Sequence, residues 1–139
     1  MLTVLEVTDS LSSDDEKAVR DPLVAYNIAR FGKSDRRDLA ILLRNTSGAV
    51  EGGLTGYTAR GWLYVQMLFI PEELRGQGLS RRLLAMAETE AQTRGCIGAY
   101  LDTMNPDART VYEKAGYHPL GVLEHLDGGH RITWLCKRF

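Results

Sequence analysis

The 139-residue chain has almost no cysteine: Cys96 and Cys136 are its only two, and no Cys-x-x-Cys spacing relates them. That excludes a disulfide-stapled scaffold and a dithiol redox motif, and it leaves two buried, reduced thiols in a cytoplasmic protein as the expectation. His118, His125 and His130 form no ligand pattern with those thiols, so no metal is expected. Neither sign of charge dominates, with 17 Lys and Arg against 18 Asp and Glu and a formal net charge of −1. A broad basic surface for nucleic acid is thereby excluded. No apolar run approaches the ~18 residues of a membrane span, and the opening Met-Leu-Thr-Val-Leu-Glu lacks the basic and apolar regions of a signal peptide. Internal repeats, linkers and low-complexity stretches are absent too. The length suffices for one domain with a real core and not for two, so residues 1–139 are expected to form a single domain.

What the chain does have is a clear succession of periods. Residues 2–7 alternate apolar and polar side chains and predict a first strand. Ser12 to Glu16 offers cap residues followed by acids, and Asp21-Pro22 repeats the signal. Two short helices or one kinked helix should therefore run over about residues 14–30 and stop at Gly32. Residues 39–44 and 49–58 read as the next two strands. The second of these carries Gly52, Gly53 and Gly56, which inside a strand point to a bulge or to close approach of another backbone. Residues 62–70 are apolar on both faces, which places this fourth strand mid-sheet with helices covering it. Residues 79–94 carry a helical stripe at Leu79, Leu83, Met86, Ala87 and Ala91, and Glu90 can pair with Arg94 across one turn. Residues 97–103 form a fifth strand, parallel to the fourth by a right-handed crossover. Asn105-Pro106 opens a short helix that Gly116 ends, and residues 117–123 and 131–136 supply the last two strands around the turn Asp127-Gly128-Gly129. The sum is an α/β (α+β) fold with a mixed central sheet of about seven strands and helices on both faces.

The chemistry is concentrated between the fourth strand and the helix after it. Pro71 closes the strand, Glu72-Glu73-Leu74 connects, and the loop Arg75-Gly76-Gln77-Gly78 runs into the helix at Leu79. A glycine turn at a helix start aims free backbone N–H groups at one point, with the positive end of the helix dipole behind them. Such a point binds anions, and glycine lets phosphate oxygens reach the backbone. The loop is no P-loop, because no Gly-Lys-Ser/Thr ends it. It is no dinucleotide fingerprint, because Arg81 stands where a third glycine is needed.

Arg75, Gly78 and Ser80 resemble the Arg/Gln-x-x-Gly-x-Gly/Ala signature of the GNAT acetyltransferase superfamily, with Ser80 in place of the usual small apolar residue. A second segment is similar to the same family: a strand, then Asn105-x-x-Ala108-x-x-x-Tyr112, then Gly116-Tyr117, in the right order and at the right distance. The resemblance implies a GNAT fold and acetyl-CoA as co-substrate. It implies that the loop amides of Arg75, Gly76, Gln77, Gly78, Leu79 and Ser80 hold the pyrophosphate. The main chain of Leu68, Phe69 and Ile70, freed by splaying of the fourth and fifth strands, would bind pantetheine together with Asn105 and Ala108. Tyr112 would protonate the departing thiolate, and amides near Leu68 or Phe69 would face the oxyanion. Each residue also has a plainer role: Asn105 as a helix cap, Tyr112 as a core aromatic, Met67 to Ile70 as sheet.

The implied reaction moves an acetyl group to a primary amine of a small molecule. Some relatives carry a glutamate or histidine on the fourth strand as base; residues 62–70 carry neither. Glu51, Glu72, Glu73 and Asp102 are the carboxylates close by in sequence, and a water chain is equally open. His130 reads as a strand-start residue. Tyr26, Asn27, Phe31, Trp62 and Tyr64 are candidates for the acceptor side. The resemblance also allows a homodimer, for which exposed strand edges give room. Two other readings stay open: a non-catalytic coenzyme A-binding or regulatory module, and a nucleotide enzyme of P-loop type.

Overall fold

A computed structural model describes residues 2–139. It divides into two compact units, one ending at Ser34 and one spanning Asp35–Phe139.

The first unit is a single helix, α1 (Ser13–Phe31), with Pro22 inside it. Its N-terminus is made as the sequence suggested. The Ser12 side chain accepts the Asp15 N–H at 3.1 Å, and Asp14, Asp15 and Glu16 fill the first turn against the helix dipole. Gly32 ends it at a positive φ of 83°, with its N–H on the Ile28 carbonyl. The two-helix alternative therefore gives way to one continuous helix. The strand expected over residues 2–7 does not form. Alternation fits a strand, but a strand persists only where a neighbour pairs with it, and Leu2, Val4, Leu5 and Val7 are each at least 85% exposed. No residue of α1 is buried.

The second unit holds β1 (Arg37–Arg44), β2 (Val50–Ala59), β3 (Trp62–Phe69), α2 (Leu79–Thr93), β4 (Gly98–Thr103), α3 (Pro106–Lys114), β5 (His118–Leu126) and β6 (His130–Arg138). A single 3-10 turn, Glu72–Leu74, precedes α2. The sheet has six strands in the order β1-β2-β3-β4-β6-β5, one fewer than the sequence suggested. Every pairing is antiparallel except β3 with β4, the parallel pair expected across the α2 crossover.

The core lies on one face of this sheet. Leu54, Leu63, Val65, Ala99, Leu101 and Leu135 point from four strands toward Leu83, Leu84, Ala87 and Ala91 of α2. Each buried leucine contributes about 1.5–3 kcal/mol. The helical stripe is rotated slightly from its sequence reading: Leu84 points in, and Met86 is 53% exposed. The expected Glu90–Arg94 pair forms at 3.1 Å, and Arg94 also donates to the Arg37 and Asp38 carbonyls, tying the end of α2 to β1. On the opposite face β3 and β4 present Trp62, Tyr64 and Tyr100, half-buried, with Tyr64 stacked on Tyr100 at 4.9 Å. α2 and α3 both serve the core face: Tyr112 of α3 belongs to the core cluster, and Tyr117 just after α3 bonds Glu88 of α2. Among the described residues no helix is long and apolar enough to cross a membrane.

One irregularity sets up everything that follows. Along β2 and β3 the register steps from Thr55↔Met67 to Gly56↔Val65, so Gln66 is an extra residue on β3. A bulge of this kind bends and twists its strand. The β3–β4 ladder stops after Val65↔Leu101, although both strands continue. Glycine is required opposite the bulge, since a Cβ on Gly56 would sit 2.0 Å from the Tyr64 carbonyl oxygen. The close backbone approach read from the strand glycines is thus present.

Candidate active site

Beyond the bulge β3 keeps its β2 partner through Phe69 and β4 keeps its β6 partner through Thr103, but the edges they turn toward each other are unpaired. The result is a wedge that opens toward the loop before α2 on one side and the start of α3 on the other. A groove of about 360 Å³ occupies it, walled by Leu68, Phe69 and Ile70 of the β3 end and by Asn105, Ala108 and Tyr112 of α3. Arg75 and Ser80 line it as well. Through Ile70, Arg75, Ser80 and Val111 it continues into a second hollow of about 320 Å³, over Gly76, Gly78, Leu79 and Arg81, with Lys114 across from them. All the predicted site residues except Gln77 line this continuous groove. Arg81, Val111 and Lys114 join them unforeseen.

The loop has its shape for local reasons. Gly76 and Gly78 take φ values of 78° and 75°, the left-handed region that L side chains avoid. The Arg75 Nε folds back to donate to the Ile70 carbonyl at 2.9 Å and closes the turn. Gly78 is also the N-cap of α2, so no side chain caps this helix, and its first turn holds no acid. The N–H groups of that turn therefore have no intrahelical acceptor. At the same groove the start of α3 is the opposite case. The Asn105 side chain accepts the Asp107 N–H at 2.9 Å, and Pro106 occupies the first helical position, as the sequence predicted.

Tyr112 is 7% exposed and borders the groove. Burial pushes its phenol above the usual tyrosine range, and the charge of Asp102 pushes the same way. Its hydroxyl has no hydrogen-bond partner among the described residues. Tyr117, 6.2 Å away ring to ring, donates to Glu88 Oε2 at 2.9 Å, while Lys137 Nζ holds the other Glu88 oxygen at 2.7 Å.

A further pair lies just past the last β3–β4 rung. Tyr64 donates its hydroxyl to Asp102 Oδ1 at 2.9 Å. That hydrogen bond, helped by burial and the carboxylate charge, raises the Tyr64 pKa to about 12. The sequence named Asp102 and Tyr64 separately and missed the pair. The signal was available in the parallel register, which sets Tyr64 opposite Tyr100 and so brings Asp102, two residues on, to the same face.

The remaining sequence candidates fall elsewhere. Glu51, Glu72 and Glu73 line neither part of the groove. His130 begins β6, as read, and borders a separate hollow of about 290 Å³ with Arg109 and Arg131. Trp62 lies on the aromatic sheet face. Tyr26, Asn27 and Phe31 belong to α1 of the first unit.

The sequence matches the family model described as "Acetyltransferase (GNAT) family" over residues 4–117. An acetyltransferase of Agrobacterium fabrum is 61% identical over 133 residues, covering 96% of this chain and 97% of that protein. Blasticidin-S acetyltransferase of Streptomyces morookaense is 36% identical over 88 residues, 57% of this chain and 65% of that one. The crystal structure of an Agrobacterium tumefaciens protein described as an acetyltransferase superposes with a TM-score of 0.96 at 59% identity, covering 99% of this chain and all of the other. Wedge, uncapped helix start and sequence agree: this chain belongs to the GNAT acetyltransferase family.

Proposed function

We propose that the chain is an acetyl-CoA-dependent N-acetyltransferase acting in the cytoplasm on a primary amine of a small molecule. The observation that carries this reading is a single groove lined both by an uncapped helix start and by a buried tyrosine whose hydroxyl has no partner among the described residues. The amides after Gly76, with Arg81 and Lys114 beside them, suit a diphosphate. The unpaired edge of β3 at Leu68, Phe69 and Ile70 suits an amide-bearing arm that adds like a strand, and Asn105 and Ala108 wall its other side.

An alkylammonium with pKa about 10.4 is neutral in roughly one molecule in 2,500 at pH 7, a cost of about 4–5 kcal/mol. Asp102 is exposed at the mouth of the wedge and oriented by Tyr64, so it can hold the ammonium and take its proton directly or through water. The amine nitrogen then bonds to the thioester carbon, β3 amides near Leu68 or Phe69 face the developing oxyanion, and the carbon–sulfur bond breaks. Tyr112 donates its proton to the departing sulfur, and the second proton that the nitrogen sheds as the amide forms restores the phenol through water. The thiolate of a thiol with pKa about 8.5 is a weaker base than tyrosinate, so the transfer to sulfur is uphill by at least ~2 kcal/mol. The raised Tyr112 pKa adds to that, and exclusion of water from the thiolate must offset it.

The experiment is a thermal shift with acetyl-CoA, ATP and NADH side by side, followed by thiol release from acetyl-CoA with a panel of small amines. Stabilisation by acetyl-CoA alone and thiol release with one or more amines are expected. Stabilisation by ATP instead overturns the coenzyme assignment. Stabilisation by acetyl-CoA with no thiol release across the panel favours a non-catalytic coenzyme-binding module, to which the lack of Glu or His on β3 points.

A further inference from the structure

The hollow that His130 borders exists because β4 and β6 part. Their ladder ends at the rung Thr103↔Thr133, where β4 turns off toward α3 while β6 reaches back to His130. Arg131 and Ile132 therefore have no β4 partner, and a space of about 290 Å³ stands beside them. Its walls include Thr103, Asn105, Arg109, His130, Arg131 and Thr133. Two guanidiniums, an imidazole, two hydroxyls and an amide thus share one hollow. No carboxylate lines it: Asp107, Glu113, Glu124 and Asp127, the acids on the same elements, all fall outside the lining.

Both arginines are held in place with donors to spare. Arg109 Nε donates to Glu113 at 2.7 Å, and Nη1 reaches the buried Thr133 hydroxyl at 3.5 Å. Its other N–H groups have no acceptor among the described residues. Arg131 lies 3.8 Å from Glu124, an ion pair without a hydrogen bond. A bulge sets its place. The register passes from Leu123↔Ile132 to Leu126↔His130, so Glu124 and His125 together stand opposite Arg131. His125 takes φ 65° there, a conformation that L side chains avoid. Bulges of this kind re-aim a side chain and recur beside active sites. The coenzyme does not account for these charges. Its diphosphate has Arg81 and Lys114, and Lys114 is at the far end of α3, about 12 Å along the helix from Pro106. The hollow instead meets the groove at Asn105, which lines both. Thr103 follows Asp102 directly, about 3.3 Å on along the strand.

The geometry points to an acceptor that carries an anionic oxygen group, a carboxylate or a phosphate, held in this hollow by Arg109 and Arg131 while its amine lies at Asp102. This rests on the transferase reading above and names its substrate class. Forked, planar guanidinium donors match the oxygens of such a group. The Thr103 hydroxyl accepts the Asn105 N–H and the Thr133 hydroxyl accepts from Arg109, so each keeps its own O–H to donate. With a carboxylate for the ammonium at one end and two cations for the anion at the other, the acceptor is seated in one direction only. A neutral amide in the hollow leaves both guanidiniums without a charged acceptor.

The test is thiol release from acetyl-CoA with aminoalkanoates of increasing length, from glycine upward, beside the aminoalkyl phosphates and the carboxamides of the same lengths. At matched length the carboxylate or the phosphate should exceed the carboxamide in kcat/KM by about tenfold or more, the weight of charge-assisted hydrogen bonds. Whichever anion leads identifies the group. In Arg109→Gln and in Arg131→Gln, with folding checked by circular dichroism, that ratio should fall toward one, and Arg131→Lys should restore part of it. Equal efficiency with anion and carboxamide overturns the inference, and so does a preference that survives both substitutions. Calorimetric titration of the coenzyme A-saturated protein with β-alanine and with phosphoethanolamine reads the hollow without turnover. Binding that both variants lose, with no thiol released from any amine, supports the hollow and overturns the transferase reading. Thiol release from carboxamides with no anion bound does the reverse.

Discussion

Tyr112 and Tyr117 sit five residues apart, both buried, both with phenols raised chiefly by burial, their rings 6.2 Å from each other. Burial and titration do not separate them; partners do. Tyr117 ends on Glu88, which Lys137 also holds, so its hydroxyl is fully used inside the protein. Tyr112 borders the groove, and its hydroxyl has no hydrogen-bond partner among the described residues. The two helix starts at the groove differ in the same way. Asn105 satisfies the first turn of α3, whereas Gly78 leaves that of α2 unsatisfied. A polar group left open next to a groove is available to whatever enters it, and the contrast is testable member by member.

The largest effect is expected at Tyr112. Tyr112→Phe should lower kcat by about 100-fold, the usual contribution of a positioned acid, with the KM for acetyl-CoA unchanged and the melting temperature held. Steady-state kinetics with thiol detection read both. An unchanged kcat would remove Tyr112 from the reaction and make it a second Tyr117. At the α2 start, Gly78→Ala forces an L side chain to φ 75°, a strain of about 1–2 kcal/mol. The KM for acetyl-CoA should rise about tenfold, since 1.4 kcal/mol is a factor of ten, with kcat little altered. A KM equal to wild type would show that the loop does not meet the coenzyme.

The satisfied members should respond in stability instead. Tyr117→Phe removes a hydrogen bond to a charged group and leaves Glu88 with Lys137 alone, a loss of about 1.5–3 kcal/mol in urea unfolding. Asn105→Ala removes a cap and should cost about 1 kcal/mol of stability. If the Asn105 side chain also touches the coenzyme arm, that variant alone will shift both the unfolding midpoint and the KM.

Much of this was legible beforehand because it is local. Strand–glycine loop–helix order, the Asn105-Pro106 cap and the register of Tyr112 with Gly116 are written in neighbouring residues, and they placed the groove on both sides. What escaped was non-local. The bulge at Gln66 exists because Gly56 admits the Tyr64 carbonyl from another strand. The Tyr64–Asp102 bond depends on which rung of a parallel ladder is the last. The Tyr117–Glu88–Lys137 cluster joins three elements that no short spacing relates. The residues 2–7 strand failed for the same cause. Alternation was read correctly as a capacity to pair, but pairing needs an edge, and no pattern inside six residues tells where that edge is.

The smallest effect tests that non-local pair. Tyr64 has a pKa of about 12 in the folded chain, first because it donates to Asp102 and then because it is partly buried, against about 10 when unfolded. With the folded value raised, the stabilisation from this group is complete below about pH 10 and is lost as pH climbs from there through 12. Tyr64→Phe has no such proton to lose. Its stability should therefore fall less steeply than that of wild type above pH 10, while the two curves run parallel near neutrality. Urea midpoints across that range read the difference. Tyr117, also raised, is present in both proteins and cancels. Parallel curves throughout would mean that the hydroxyl does not rest on Asp102, and the carboxylate at the mouth of the wedge would then have no group to orient it toward an incoming amine.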